Sequence, residues 1–117
     1  MYIIFKKNLK QIDQRYTVLD LDTFSFPDGS THTACCVVEN IPITEMSETD
    51  NLKQLHAKLI ENYAKKDWDF CLGAIQNLTG KWGGELDSFY TNLHQRINEL
   101  KTQNLDDSWT PVIPKQQ

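Results

Sequence analysis

A chain of 117 residues has room for one domain. Its make-up, 39% hydrophobic and 24% charged, is that of a globular protein and excludes wholesale disorder. Twelve Lys and Arg against 16 Asp and Glu leave a net charge of −4. That balance argues against a nucleic-acid partner, which would need a basic surface to neutralise phosphate.

The chain opens on Met1-Tyr2-Ile3-Ile4-Phe5, a short β-prone run without the basic flank or small-residue cleavage site of a secretory signal. No apolar stretch approaches the roughly 20 residues a membrane helix needs. Cys35, Cys36 and Cys71 make an odd count. Reduced thiols and a cytoplasmic location are therefore expected, with no membrane partner.

Strand periodicity dominates as far as Glu39. From Tyr16 to Phe26, Leu19 and Leu21 share one parity while Phe24 and Phe26 share the other, so the alternation slips near Asp22-Thr23. Such a slip would turn every later side chain over, and a β-bulge is the usual way to absorb it. Pro27-Asp28-Gly29-Ser30 supplies turn chemistry, and Thr31 to Glu39 is the returning strand. Asn40-Ile41-Pro42-Ile43 is a connector, since proline neither donates to a ladder nor favours helix in the residue before it.

Helical spacing takes over next. Leu52, Leu55, His56, Leu59 and Tyr63 recur at 3.6-residue intervals and predict a helix over about 48–65. Asp67 is the expected N-cap of a second helix, with Trp68, Cys71, Leu72, Ile75 and Leu78 inward and Gly80 past its end. A third helix is predicted over about 85–101, carrying Leu86, Phe89, Tyr90, Leu93, Ile97 and Leu100 on one face. Strands followed by helices indicate an α+β fold: an N-terminal antiparallel β-hairpin or three-stranded meander, then three α-helices. The expected division is a single domain over 1–102 and an extended tail over 103–117, pinned by Trp109.

Two stretches resemble known families. Tyr63-Ala64-Lys65-Lys66-Asp67-Trp68-Asp69-Phe70-Cys71-Leu72 resembles the corner of one tetratricopeptide-type helical hairpin, with Cys71 in the small-residue position and Lys66 where that family favours glycine. The likeness covers residues 52–80, a single unit, which implies a helical hairpin and not the peptide groove of a repeat array. Asp67-Trp68-Asp69-Phe70-Cys71 and Gly80-Lys81-Trp82-Gly83-Gly84-Glu85-Leu86-Asp87-Ser88-Phe89-Tyr90, with Ala34 to Pro42, look like small uncharacterised proteins of marine tailed bacteriophages. That resemblance implies no activity.

Candidate chemistry is sparse. Cys35-Cys36 with His32 invites a metal or redox reading, but neighbouring side chains on a strand point to opposite faces. Zinc-type Cys-x2-Cys and His-x3-His spacings are absent from the sequence. The thiols are expected to pack as small hydrophobes. His56 and His94 lie at the apolar edges of their helices and are expected to keep their polar tips wet. Asp20 and Asp22 could do acid–base work, but their pattern predicts a solvated face.

Trp82-Gly83-Gly84-Glu85 is the most unusual local feature. Two glycines before a helix leave backbone N–H groups at its positive end, a potential anion site, although Glu85 and Asp87 would repel phosphate. A tight turn plugged by Trp82 is the plain expectation. The candidate binding residues are Trp82, Gly83, Gly84, Glu85 and Tyr90, read as a protein-contact site because exposed aromatics anchor interfaces. No catalytic residue, metal or cofactor is indicated. The expected function is a non-enzymatic protein-interaction module, phage-encoded and self-associating as a homo-oligomer. The alternative is a small ligand- or metal-binding protein or enzyme with a site between sheet and helices.

Overall fold

The computed structural model describes residues 2–11, 16–38, 41, 43–103 and 105–114. The fold is α+β, with its strands mostly ahead of its helices. The chain divides into two compact units, Met1–Asn40 with Pro111–Gln117, and Ile41–Thr110. No helix among the described residues is long and apolar enough to cross a membrane.

The first unit is a four-stranded sheet of β1 (Tyr2–Phe5), β2 (Thr17–Ser25), β3 (Thr31–Val38) and β4 (Ile113–Pro114), in the spatial order β1-β3-β2-β4. The hairpin forms as its sequence directs, with β2 antiparallel to β3. Its turn is held by Asp28, whose Oδ1 accepts from the Ser30 backbone N–H at 2.9 Å. The predicted end of β3 at Glu39 and the connector residues Asn40 and Pro42 lie outside the described residues. A meander would pair β1 with β2. Instead β1 pairs antiparallel with β3, Ile4 opposite Cys35, which places β3 in the interior of the sheet.

The bulge falls where the alternation breaks. Asp20 stands opposite Cys35 and Thr23 opposite Thr33, so Leu21 and Asp22 together face Ala34. The extra residue has a definite consequence. Leu19 is opposite Cys36 and Phe24 is opposite His32. His32 and Cys36 share a face of the unbroken β3, so Leu19 and Phe24 share it too. The bulge therefore collects onto one face the apolar residues that simple alternation would divide. There the rings of Phe5, Phe26 and His32 meet at 5.4–5.9 Å. On the opposite face Thr23 and Thr33 join hydroxyls at 2.8 Å.

The second unit holds α1 (Thr49–Ala64), α2 (Trp68–Leu78) and α3 (Asp87–Leu100). A 3-10 turn over Ile43–Glu48 leads into α1. The apolar spacing seats Leu52, Leu59 and Tyr63 of α1, Cys71, Ile75 and Leu78 of α2, and Tyr90, Leu93 and Ile97 of α3 in the interior. Asp67 caps α2 as expected, its carboxylate accepting from the Phe70 N–H at 3.3 Å. Between α1 and α2 the chain reverses through Lys66, whose φ of 64° is left-handed. The C-terminal stretch returns past α1 and α2. The Trp109 ring lies 5.7 Å from those of Tyr63 and Trp68, edge to face in each case. Beyond it, Ile113 and Pro114 run parallel beside Phe24 and Ser25.

Candidate functional site

The turn between α2 and α3 is built from three successive residues with left-handed backbone, Trp82 (φ 57°), Gly83 (66°) and Gly84 (78°). Glycine adopts this region freely, which explains the pair, while Trp82 must be held there by its contacts. Those contacts are extensive. The Trp82 backbone N–H donates to Glu45 Oε1 at 2.5 Å, and its indole N–H donates to the Tyr90 hydroxyl at 3.1 Å. Lys81 reaches Glu48 of the same 3-10 turn at 3.3 Å.

Several amides around this turn are engaged within the chain. Gly80 N–H donates to Asp87 Oδ1 at 2.7 Å, Gly84 N–H to Lys81 O at 2.9 Å and Glu85 N–H to Trp82 O. The chain's own carboxylates, Glu45 and Asp87, occupy the positions an external anion would take. Asp87 was legible beside the glycines. Glu45, 37 residues away from Trp82 in sequence, carries no local signal that would have paired the two.

The expected protein-contact set is corrected by burial. Trp82 and Tyr90 are enclosed, and the polar atom of each ring is spent inside the unit. Neither ring can anchor a partner as an exposed aromatic would. Of that set, Gly83 and Glu85 face outward, and Gly84 is half-buried.

His56 also departs from expectation. Its side chain is buried, because the Tyr90 hydroxyl, 3.0 Å from Nδ1, supplies the hydrogen-bond partner that water was expected to provide. Indole, phenol and imidazole form a chain through the core from the turn to α1. His94 is exposed, with Nδ1 3.1 Å from the Asn98 amide. It borders a shallow hollow of about 300 Å³ over Ile75 and Tyr90, with Thr79, Thr91 and Gln95 on its walls.

The thiols sit as small hydrophobes. Cys35, Cys36 and Cys71 are buried and outside any disulfide. Cys35 Sγ donates to Asp20 Oδ1 at 3.3 Å, and Asp20 in turn pairs with Lys6 at 3.3 Å. Burial, reinforced by the neighbouring Asp20 carboxylate, pushes the Cys35 thiol up to about 12. Burial likewise pushes Cys71 up to about 11, and its Sγ contacts the Leu59 carbonyl. These are protonated thiols at neutral pH, the reverse of a nucleophile or metal ligand. His32 lies between Phe5 and Phe26, on the face of β3 opposite to Cys35. Among the described residues no three His, Cys, Asp or Glu side chains are grouped to hold a metal ion.

No family model, curated protein or solved structure matches the chain.

Proposed function

We propose that the chain is a non-enzymatic protein-interaction module that associates with itself. One contrast carries the reading. The side chains able to do chemistry are engaged by the protein's own groups, Cys35 by Asp20, Cys71 by the Leu59 carbonyl and His56 by Tyr90. Large apolar side chains are meanwhile left outside: Ile3 is 61% exposed, Ile43 85% and Met46 60%. Ile43 and Met46 sit three residues apart on one 3-10 turn, where side chains at that spacing line up, and a contiguous apolar patch kept in water marks a surface that meets another protein.

The net charge of −4 supports a partner other than nucleic acid. Three buried thiols without a disulfide support a reducing, cytoplasm-like compartment. The likeness of residues 34–42, 67–71 and 80–90 to proteins of marine tailed bacteriophages supports a phage origin.

Sedimentation velocity from the micromolar to the hundred-micromolar range tests the reading. A sedimentation coefficient that rises with concentration is expected. A single monomeric species throughout would remove self-association from the proposal.

A further inference from the structure

The two edges of the sheet are treated differently. At one edge the two-residue β4 covers only Phe24 and Ser25 of β2 and ends on Pro114, which has no N–H to offer a further strand, while β2 itself carries Asp20 and Asp22. At the other edge β1 presents Tyr2-Ile3-Ile4-Phe5, with no proline, glycine or charge in the strand and with Ile3 61% exposed. Among the described residues no strand pairs with the outer side of β1. Natural sheets blunt open edges by short strands, proline or inward charge. This chain does so at the β4 edge and has neither proline nor charge within β1. The exposed side of β1 also borders an apolar hollow of about 260 Å³ lined by Ile3, Ile4, Phe5, Phe24, Phe26 and Ala34.

We propose that β1 pairs antiparallel with β1 of a second copy, Ile4 opposite Ile4 on a two-fold axis, joining two sheets edge to edge. This rests on the self-association reading and names the joint. The occupant follows from the strand itself. Directly opposed residues point to the same face, so a two-fold axis perpendicular to the sheet must pass through a residue and not between two. With Ile4 on the axis, Ile3 stands against Phe5 of the second copy and Phe5 against its Ile3. Both contacts are apolar and lie on the face where the hollow opens, so the two hollows become one continuous apolar strip.

Charge fits the same register. Lys6 follows β1 immediately, two residues from the axis. The two copies of Lys6 are thus held ~14 Å apart along the strands, beyond the ~8 Å screening length at physiological salt. A parallel pairing would instead bring the Lys6-Lys7 pairs side by side. The closed joint is isologous and uses up the β1 edge of both copies.

Cross-linking across the axis tests the register. An Ile4→Cys variant places two thiols directly opposite, at a Cα separation of about 4.5–5.5 Å, within the span a disulfide bridges. In Ile3→Cys the thiols lie one residue to either side of the axis, ~8 Å apart, too far to bridge. Both variants are made in a Cys35→Ala, Cys36→Ala background, because Ile4 stands opposite Cys35 and Ile3 opposite Cys36 on β3, where the native thiols would compete. Mild oxidation is expected to give covalent dimer from Ile4→Cys and none from Ile3→Cys. A third variant, Ile3→Lys, changes an exposed side chain. It is expected to abolish association while leaving the far-UV circular dichroism unchanged.

Association of the native chain without an Ile4→Cys cross-link would overturn the β1 joint but leave the self-association reading standing. Equal cross-linking of both variants, or association undiminished in Ile3→Lys, would also overturn the joint. A native chain that stays monomeric would overturn both readings and leave the edge to a strand from a different protein.

Discussion

The phenol oxygen of Tyr90 lies 3.0 Å from Nδ1 of His56, joining α3 to α1 through the interior of the helical unit. The same oxygen accepts the indole N–H of Trp82 at 3.1 Å, so one hydroxyl serves two buried polar rings. Replacing Tyr90 by Phe keeps the ring and its packing but leaves the indole N–H without its partner and the imidazole without this contact. A buried polar group left unpaired costs about 1–3 kcal/mol. Tyr90→Phe is therefore expected to lower unfolding free energy by about 2–4 kcal/mol, measured by urea denaturation. Since Trp82 and Tyr90 share the bond, Trp82→Phe in the Tyr90→Phe background should cost less than in the native chain.

The thiols predict an alkaline instability. A thiol held above its ordinary value in the folded protein favours folding below about 9, where both states keep the proton. Above that the unfolded chain loses the proton first, so stability falls as pH rises towards about 12 for Cys35 and about 11 for Cys71. Denaturation curves between pH 8 and 11 are expected to show this decline. Cys35→Ala and Cys71→Ala should each flatten it by one proton, whatever they cost at neutral pH. At pH 8 the native protein should resist thiol reagents and release all three thiols on unfolding. Rapid labelling of Cys35 in the folded state would contradict its environment.

Lys66 occupies left-handed backbone at φ 64°, which for an L-residue costs roughly 1–2 kcal/mol and for glycine nothing. Its ammonium reaches the Asp106 carbonyl at 3.0 Å on the surface, a contact of little weight in water. Lys66→Gly is expected to stabilise the protein by about 0.5–1 kcal/mol after the extra chain entropy of glycine is subtracted. Lys66→Val should do the opposite, because a β-branched residue resists this region most. Melting temperatures of the two variants on either side of the native value would check both.

Local periodicity made much of this fold legible. The stripes of α1, α2 and α3 were set by Leu52, Leu59, Ile75, Leu93 and Ile97, and the broken alternation between Leu21 and Phe24 marked the bulge. What could not be read depended on distant partners. Nothing near His56 announces that Tyr90, 34 residues on, will meet it. A stripe position therefore looked like a wet boundary. Trp82 plugs its turn as the glycine pair leads one to expect, but the protein-contact reading of Trp82 and Tyr90 needs exposed rings, and Glu45 with the indole–phenol bond draws both inward. The pairing of β1 with β3 in place of β2 is likewise a choice among strands of similar pattern, fixed by register and not by composition.

Trp109 gives the last test, since its ring meets Tyr63 and Trp68 at 5.7 Å in edge-to-face contacts while those two lie 5.8 Å from each other. Such ring pairs add about 0.5–1.5 kcal/mol each beyond the area they bury. Tyr63 is buried and the two indoles are half-buried, so truncation should cost less than in a closed core. Trp109→Ala is expected to destabilise the helical unit by about 2–3 kcal/mol, while Trp109→Phe, which retains an edge for both neighbours, should cost under half as much. Limited proteolysis gives an independent readout. In Trp109→Ala the chain after Thr102 should be cleaved faster than in the native protein, because the ring is what holds Leu105 to Thr110 against α1 and α2. Unchanged cleavage there would mean that the stretch is secured by other contacts, such as Lys66 to the Asp106 carbonyl.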